Sequence, residues 1–163
     1  MLAELTAALA SEPAHSVAYH PGCDAVECNN TDAFAPAVAA AGEADAIVVL
    51  LGLHYSAAGN ATQCDHDKPW ITDDACEGEG QDREFIELPG NSTALVAALR
   101  KAAPHVPLVG VLIHGGALAL GSAAEQLDAV VDACEPPAAL PRFRAHCLSL
   151  HEYPCAVRQG TRA

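Results

Sequence analysis

Two stretches of the chain are apolar almost without interruption, residues 46–51 and residues 106–113. Strands covered by helices on both faces read this way, as continuous Val/Ile/Leu runs rather than alternating ones. Elsewhere the apolar positions recur every three or four residues, which is the spacing of one helix face. Leu2, Leu5 and Leu9 predict a helix over residues 1–10, an Ala-rich run predicts another over 33–41, and Leu95, Val96 and Leu99 predict a third over 93–103. Shorter segments fill the remainder: a strand at 16–19, a short helix at 122–127 and a strand at 129–134.

The punctuation agrees with these elements. Pro13 stops the first helix and Pro104 the third, because proline cannot continue a helical ladder. Thr31 or Asp32, and later Asn91 or Ser92, are expected to cap helix starts with a side-chain oxygen. Gly42 ends the second helix. Arg100 and Lys101 lie in the last turn of the third, where the helix dipole favours cations. Strands and helices alternate throughout, which predicts an α/β fold, a layered α/β/α sandwich with a mostly parallel sheet. The pattern breaks at Glu135-Pro136-Pro137. Residues 1–135 are therefore read as one α/β domain. Residues 136–163 show no periodicity and hold four of the eight Lys and Arg; they read as an irregular, poorly ordered tail.

Charge narrows the partners. The net charge is -13, with 21 Asp and Glu against 8 Lys and Arg. Nucleic acids and anionic membranes need a positive surface, so neither is expected as a partner. No apolar run approaches the ~20 residues of a membrane span. An acidic surface suits a neutral ligand such as a sugar and also simple solubility. The start, Met1-Leu2-Ala3-Glu4, lacks the basic region of a leader, so either the protein is not secreted or this is an internal piece of a longer chain.

Seven cysteines are many for a reducing compartment. None forms a Cys-x-x-Cys pair; their spacing suggests local loops, Cys23 with Cys28 and Cys64 with Cys76. Three sequons, at Asn29, Asn60 and Asn91, are candidate glycosylation sites. Together these features predict an extracellular or secretory location.

Acidic side chains concentrate just past the strand 46–51, and ligands of open parallel sheets bind at the carboxyl ends of their strands. The segment that follows, through Glu77-Gly78-Glu79-Gly80-Gln81-Asp82-Arg83, is longer than ordinary connections, and such loops commonly carry function. Asp65, His66, Asp67, Asp73 and Asp74 have no spacing that marks a metal loop, and neither a metal nor a cofactor is expected. No phosphate-binding Gly-rich loop and no Gly-x-Ser-x-Gly elbow is present.

A series of motifs in order resembles a known family. Val17-Ala18-Tyr19-His20-Pro21-Gly22-Cys23 is similar to the Val-x-Tyr-x-x-Gly-Cys opening of the C-terminal α/β-sandwich domain of glycoside hydrolase family 3. Cys23 to Cys28 resembles plant-type β-xylosidase members. Ala44 to Leu53 resembles their Ala-Asp-x-x-Val-Val-x-x-Gly-Leu. Glu79, Asp82, Arg83 and Leu88-Pro89-Gly90 resemble their Glu-x-x-Asp-Arg and Leu-Pro-Gly. Leu108 to Leu120 resembles their strand and Gly-Gly turn.

The resemblance implies a retaining glycosidase acting on a β-linked xylo- or gluco-oligosaccharide, β-xylosidase-like before β-glucosidase-like. It implies that an N-terminal barrel domain supplies the nucleophile and that this domain supplies the general acid/base. Glu79 is the first candidate for that carboxyl and Glu77 the second. Trp70 is a candidate for stacking on a pyranose or for plugging its loop onto the core. Asp82 and Arg83 are candidates for sugar contact, or for an ion pair or backbone clamp that shapes the loop. His114 is read as structural. The barrel is absent, the loop between Leu53 and Glu77 is longer than in the β-xylosidases, and Glu135-Pro136-Pro137 replaces the usual continuation. The alternatives to a catalytic half are a non-catalytic carbohydrate-binding or partner-docking module and an inactive fragment.

Overall fold

The computed structural model describes residues 16–56, 75–78, 83–133 and 146–148. The elements in order are α1 (Phe34–Ala41), β1 (Ile47–Gly52), β2 (His54–Ser56), β3 (Cys76–Gly78), α2 (Ser92–Ala102), β4 (Leu108–Ile113), a 3-10 turn (Gly121–Ala123), β5 (Ala129–Asp132) and β6 (His146–Leu148). The main sheet has the order β1-β4-β5-β6, and β2 pairs with β3 in a small second sheet. β1 and β4 run parallel, with Ile47 opposite Leu108 and Gly52 opposite Ile113. β4 and β5 are also parallel. β6 is antiparallel to β5, so an element forms inside the stretch read as an irregular tail. The expected helix over 1–10 lies outside the described residues. Residues 16–19 form no strand, and Tyr19 is exposed.

One face of the sheet carries the core. Val49 and Leu51 of β1, Leu108 and Leu112 of β4, and Val130 of β5 pack with Leu95, Val96 and Leu99 of α2 and with Ala41 of α1. Each fully buried side chain of this kind contributes roughly 1.5–3 kcal/mol. Val48 and Leu50 point to the opposite face and remain 48% and 46% exposed. The expectation that β1 is covered on both faces is therefore not met among the described residues. These supply the sheet and one helical layer of an α/β fold.

The helix starts differ from the expected caps. Neither helix has a side-chain cap. Asp32 donates its N–H to Asn30 Oδ1 at 3.0 Å, and α1 begins on the Thr31 carbonyl instead. Asn91 turns its side chain away from α2: its Nδ2 donates to the Cys28 carbonyl at 2.8 Å, and its backbone N–H reaches the same oxygen at 2.9 Å. Long-range bonds to a loop thus outcompete local capping. That loop is closed by the expected disulfide Cys23–Cys28. Gly90 makes the contact possible. Its φ of +51° suits glycine, and a Cβ there would lie 2.0 Å from the Glu27 carbonyl oxygen.

At the amino end of the sheet Arg100 acts beyond the helix dipole. Its Nε donates to the Gln126 carbonyl at 2.8 Å, Nη1 to the Val106 carbonyl at 3.0 Å and Nη2 to Asp128 Oδ2 at 2.6 Å. The same Asp128 oxygen accepts the Leu108 N–H at 2.8 Å, and Asp128 N–H returns a bond to the Leu108 carbonyl at 2.9 Å. The Leu108 N–H first, then Arg100, hold the Asp128 carboxyl below its ordinary value.

Candidate active site

Parallel strands that share a register end together. β1, β4 and β5 finish at Gly52, Ile113 and Asp132, and the chain leaves all three at one edge. The ladder continues one step past β1, where Leu53 N–H donates to the Ile113 carbonyl at 2.9 Å. Beyond that step the chain enters β2, and β3 later returns beside it in parallel, with residue 77 opposite residue 55.

β3 delivers Glu77 to the turn after β4. The Glu77 side chain is buried, with 7% of the residue exposed. Its Oε1 accepts the N–H of Gly115. Its other oxygen lies against Gly116, where an added Cβ would come within 2.6 Å of it. The Gly-Gly pair leaves room for a carboxylate to meet backbone directly. His114 precedes this pair. Its Nδ1 is 2.6 Å from the Gly116 carbonyl, and its Nε2 is 3.3 Å from Asp132 Oδ1 at the end of β5. A carbonyl only accepts, so Nδ1 carries a hydrogen. His114 thus ties the turn to itself through Nδ1, while its Nε2 is buried without a hydrogen bond. Among the described residues, no group of three or more His, Cys, Asp or Glu side chains is placed to hold a metal ion.

The far side of the acidic loop is also tied to the segment after β4. Glu87 bridges Ala119; Ala119 N–H donates to the Ile86 carbonyl at 2.6 Å and Leu88 N–H to the Ala119 carbonyl at 3.2 Å. The Arg83 guanidinium donates to the Glu87 carbonyl, a backbone clamp within the loop. Glu79 and Asp82 lie outside the described residues. Trp70, Asn60 and Cys64 also lie outside the described residues, as do Asp65, His66, Asp67, Asp73 and Asp74. Cys76 is held in a disulfide. Asn29 is exposed. The docking of Glu77 on Gly115 joins residues 38 positions apart, and nothing in the local spacing of Glu77 and Glu79 announced it. The two adjacent glycines after an apolar strand were its one sequence signal.

A model of the glycosyl hydrolase family 3 C-terminal domain matches residues 1–141. Two curated proteins of Arabidopsis thaliana are similar. Probable beta-D-xylosidase 7 is 36% identical over 106 residues, which cover 65% of this chain and 11% of that protein. Beta-D-xylosidase 1 is 33% identical over 98 residues, covering 60% of this chain and 10% of that protein. The aligned chain spans about a tenth of the length of these relatives.

Proposed function

Because the chain belongs to the glycosyl hydrolase family 3 C-terminal domains, we propose that it is the acid/base-bearing half of a retaining β-glycosidase. Its substrates are terminal β-linked xylosides, before glucosides, and it acts together with a barrel domain that carries the nucleophile. The observation that supports this reading is the docking of Glu77 on Gly115, at the turn after β4 on the carboxyl edge of the parallel sheet. Retaining hydrolysis needs two carboxyls about 5–5.5 Å apart. One attacks the anomeric carbon; the other first protonates the leaving oxygen and then takes a proton from water. Glu79 is assigned the second task. The names of the similar plant proteins support xylose as the first sugar to test. The disulfide-bonded Cys23, Cys28 and Cys76 support an oxidising, secretory setting.

One carboxyl cannot form and resolve a glycosyl intermediate by itself. The 163-residue chain alone should therefore release no phenol from aryl β-xylosides or β-glucosides, whereas the full-length protein that carries it should. Turnover by the chain alone, or none by the full-length protein, overturns the assignment. Saturable xylo-oligosaccharide binding by the chain that is unaffected by Glu79→Gln would favour the carbohydrate-binding module instead.

A further inference from the structure

We propose that the Cys23–Cys28 disulfide is a redox-sensitive clasp on the chain entering α2. The closed bond holds the Cys28 carbonyl on Asn91, and opening it by thiol exchange releases both bonds that Asn91 makes to that oxygen. Asn91 stands at the start of α2 and spends two donors on one acceptor, its N–H at 2.9 Å and its Nδ2 at 2.8 Å. An unusual backbone places that acceptor. Cys28 has a φ of +48° and is the one non-glycine in the left-handed region among the described residues. A side chain is disfavoured there, and such a residue persists only where its surroundings hold it.

Three restraints hold Cys28. The disulfide ties it back to Cys23 over a sequence separation of 5. Its N–H donates to the Ala25 carbonyl at 3.2 Å. Gly90 leaves it room, since a Cβ on Gly90 would lie 2.6 Å from the Cys28 oxygen. The other end of the loop also rests on α2: a Cβ on Gly22 would come within 2.8 Å of Leu95 Cδ2. Of the three restraints only the disulfide can be opened and closed by chemistry. Without it Cys28 can return to a negative φ, and its carbonyl then turns off Asn91. The rest of α2 stays in place, because Leu95, Val96 and Leu99 remain in the core.

Cys28 is fully buried and Cys23 only partly, so exchange begins at Cys23. A thiolate of a dithiol reductant bonds to the Cys23 sulfur, and the Cys28 sulfur leaves and takes a proton. The second thiol of the reductant then displaces Cys23, which takes the other proton. The products are two cysteine thiols and an oxidised, cyclic dithiol. The clasp does not depend on the glycosidase reading and stands if that reading fails.

The test is hydrogen exchange at single amides in the full-length protein that carries this domain. Cys76 is also held in a disulfide, so Cys23→Ser/Cys28→Ser is used to open this bond alone. In that variant the Asn91 amide should exchange about tenfold faster or more. The amides of Leu53 and Ala133, which donate to the Ile113 and Leu112 carbonyls, should stay within about twofold of wild type. No change at Asn91 overturns the clasp. An equal rise at all three amides also overturns it, because the bond then only stabilises the whole domain. Gly90→Ala should quicken Asn91 exchange with the disulfide intact, and joining it to the serine pair should add less than about twofold. Full multiplication of the two effects means that they act separately and overturns the shared clasp. In wild type a dithiol should raise Asn91 exchange as the serine pair does, and oxidised glutathione should lower it again. A rise that does not reverse, or no rise, overturns the redox sensitivity. This last arm needs no variant, so it decides even where the serine pair does not fold.

Discussion

The two ends of the main sheet use carboxylates in opposite ways. At the amino end Asp128 is paired with a cation. One oxygen takes both the Leu108 N–H and the Arg100 guanidinium, and Arg100 also satisfies the Gln126 and Val106 carbonyls. At the carboxyl end Glu77 accepts a backbone N–H, that of Gly115, and Asp132 faces a histidine. The cation at the amino end makes the acid part of the scaffold. The carboxyl end holds its buried acid on a backbone N–H. The lesson is that an acidic residue in this chain is interpreted by its partner, and the partner comes from elsewhere in the fold.

Exchanging the roles gives the largest effect. Glu79→Gln in the full-length protein should lower kcat on poor leaving groups by about 10²–10⁴ with little change in urea midpoint, while Asp128→Asn should lower the midpoint and leave kcat unchanged. Both parameters moving together in either variant would erase the contrast. Arg100→Ala comes next. It strands three carbonyls, those of Gln126, Val106 and Pro104, and a carboxylate, and urea unfolding should show a loss of about 1–3 kcal/mol. Because the Asp128 side chain is 55% exposed and screened, most of that loss should come from the carbonyls. Arg100→Lys should recover only part of it, since an ammonium lacks the planar fork.

The third effect depends on pH. Asp128 has a folded value lowered from 3.8. Its contribution is complete above the unfolded value and is lost as pH falls through the folded one. Wild-type stability should therefore decline more steeply below about pH 4 than that of Asp128→Asn; equal slopes would remove Asp128 from the scaffold. The smallest effect on stability is Gly116→Ala. The new Cβ would displace the Glu77 carboxylate, and the unfolding free energy should change by no more than about 1 kcal/mol. Gly115 amide exchange should nonetheless quicken.

Legibility followed the range of the forces. The strands at 46–51 and 106–113 were placed within two residues of β1 and β4, because an apolar run of that length has few other uses. Leu95, Val96 and Leu99 proved buried because helical spacing forces them onto one face. The side-chain caps expected from Thr31, Asp32 and Asn91 do not form, and the Asn91 amide reaches the Cys28 carbonyl instead. The stretch 122–127 gives only a 3-10 turn, and β6 has no periodic signal at all. Glu77 and Glu79 look alike in sequence, both flanked by glycine. Only a contact across 38 positions gives Glu77 a role of its own.

The Asn91 amide carries a consequence in time. Once the Cys23–Cys28 loop is closed and docked, that nitrogen is bound to the Cys28 carbonyl, and Ser92 of the same sequon is buried. Any oligosaccharide transfer to Asn91 must therefore run ahead of folding, in competition with oxidation of a disulfide more than sixty residues upstream. Exposed Asn29 faces no such race. Glycan occupancy at Asn91 relative to Asn29 would then record how quickly the amino-terminal loop closes as the chain is made.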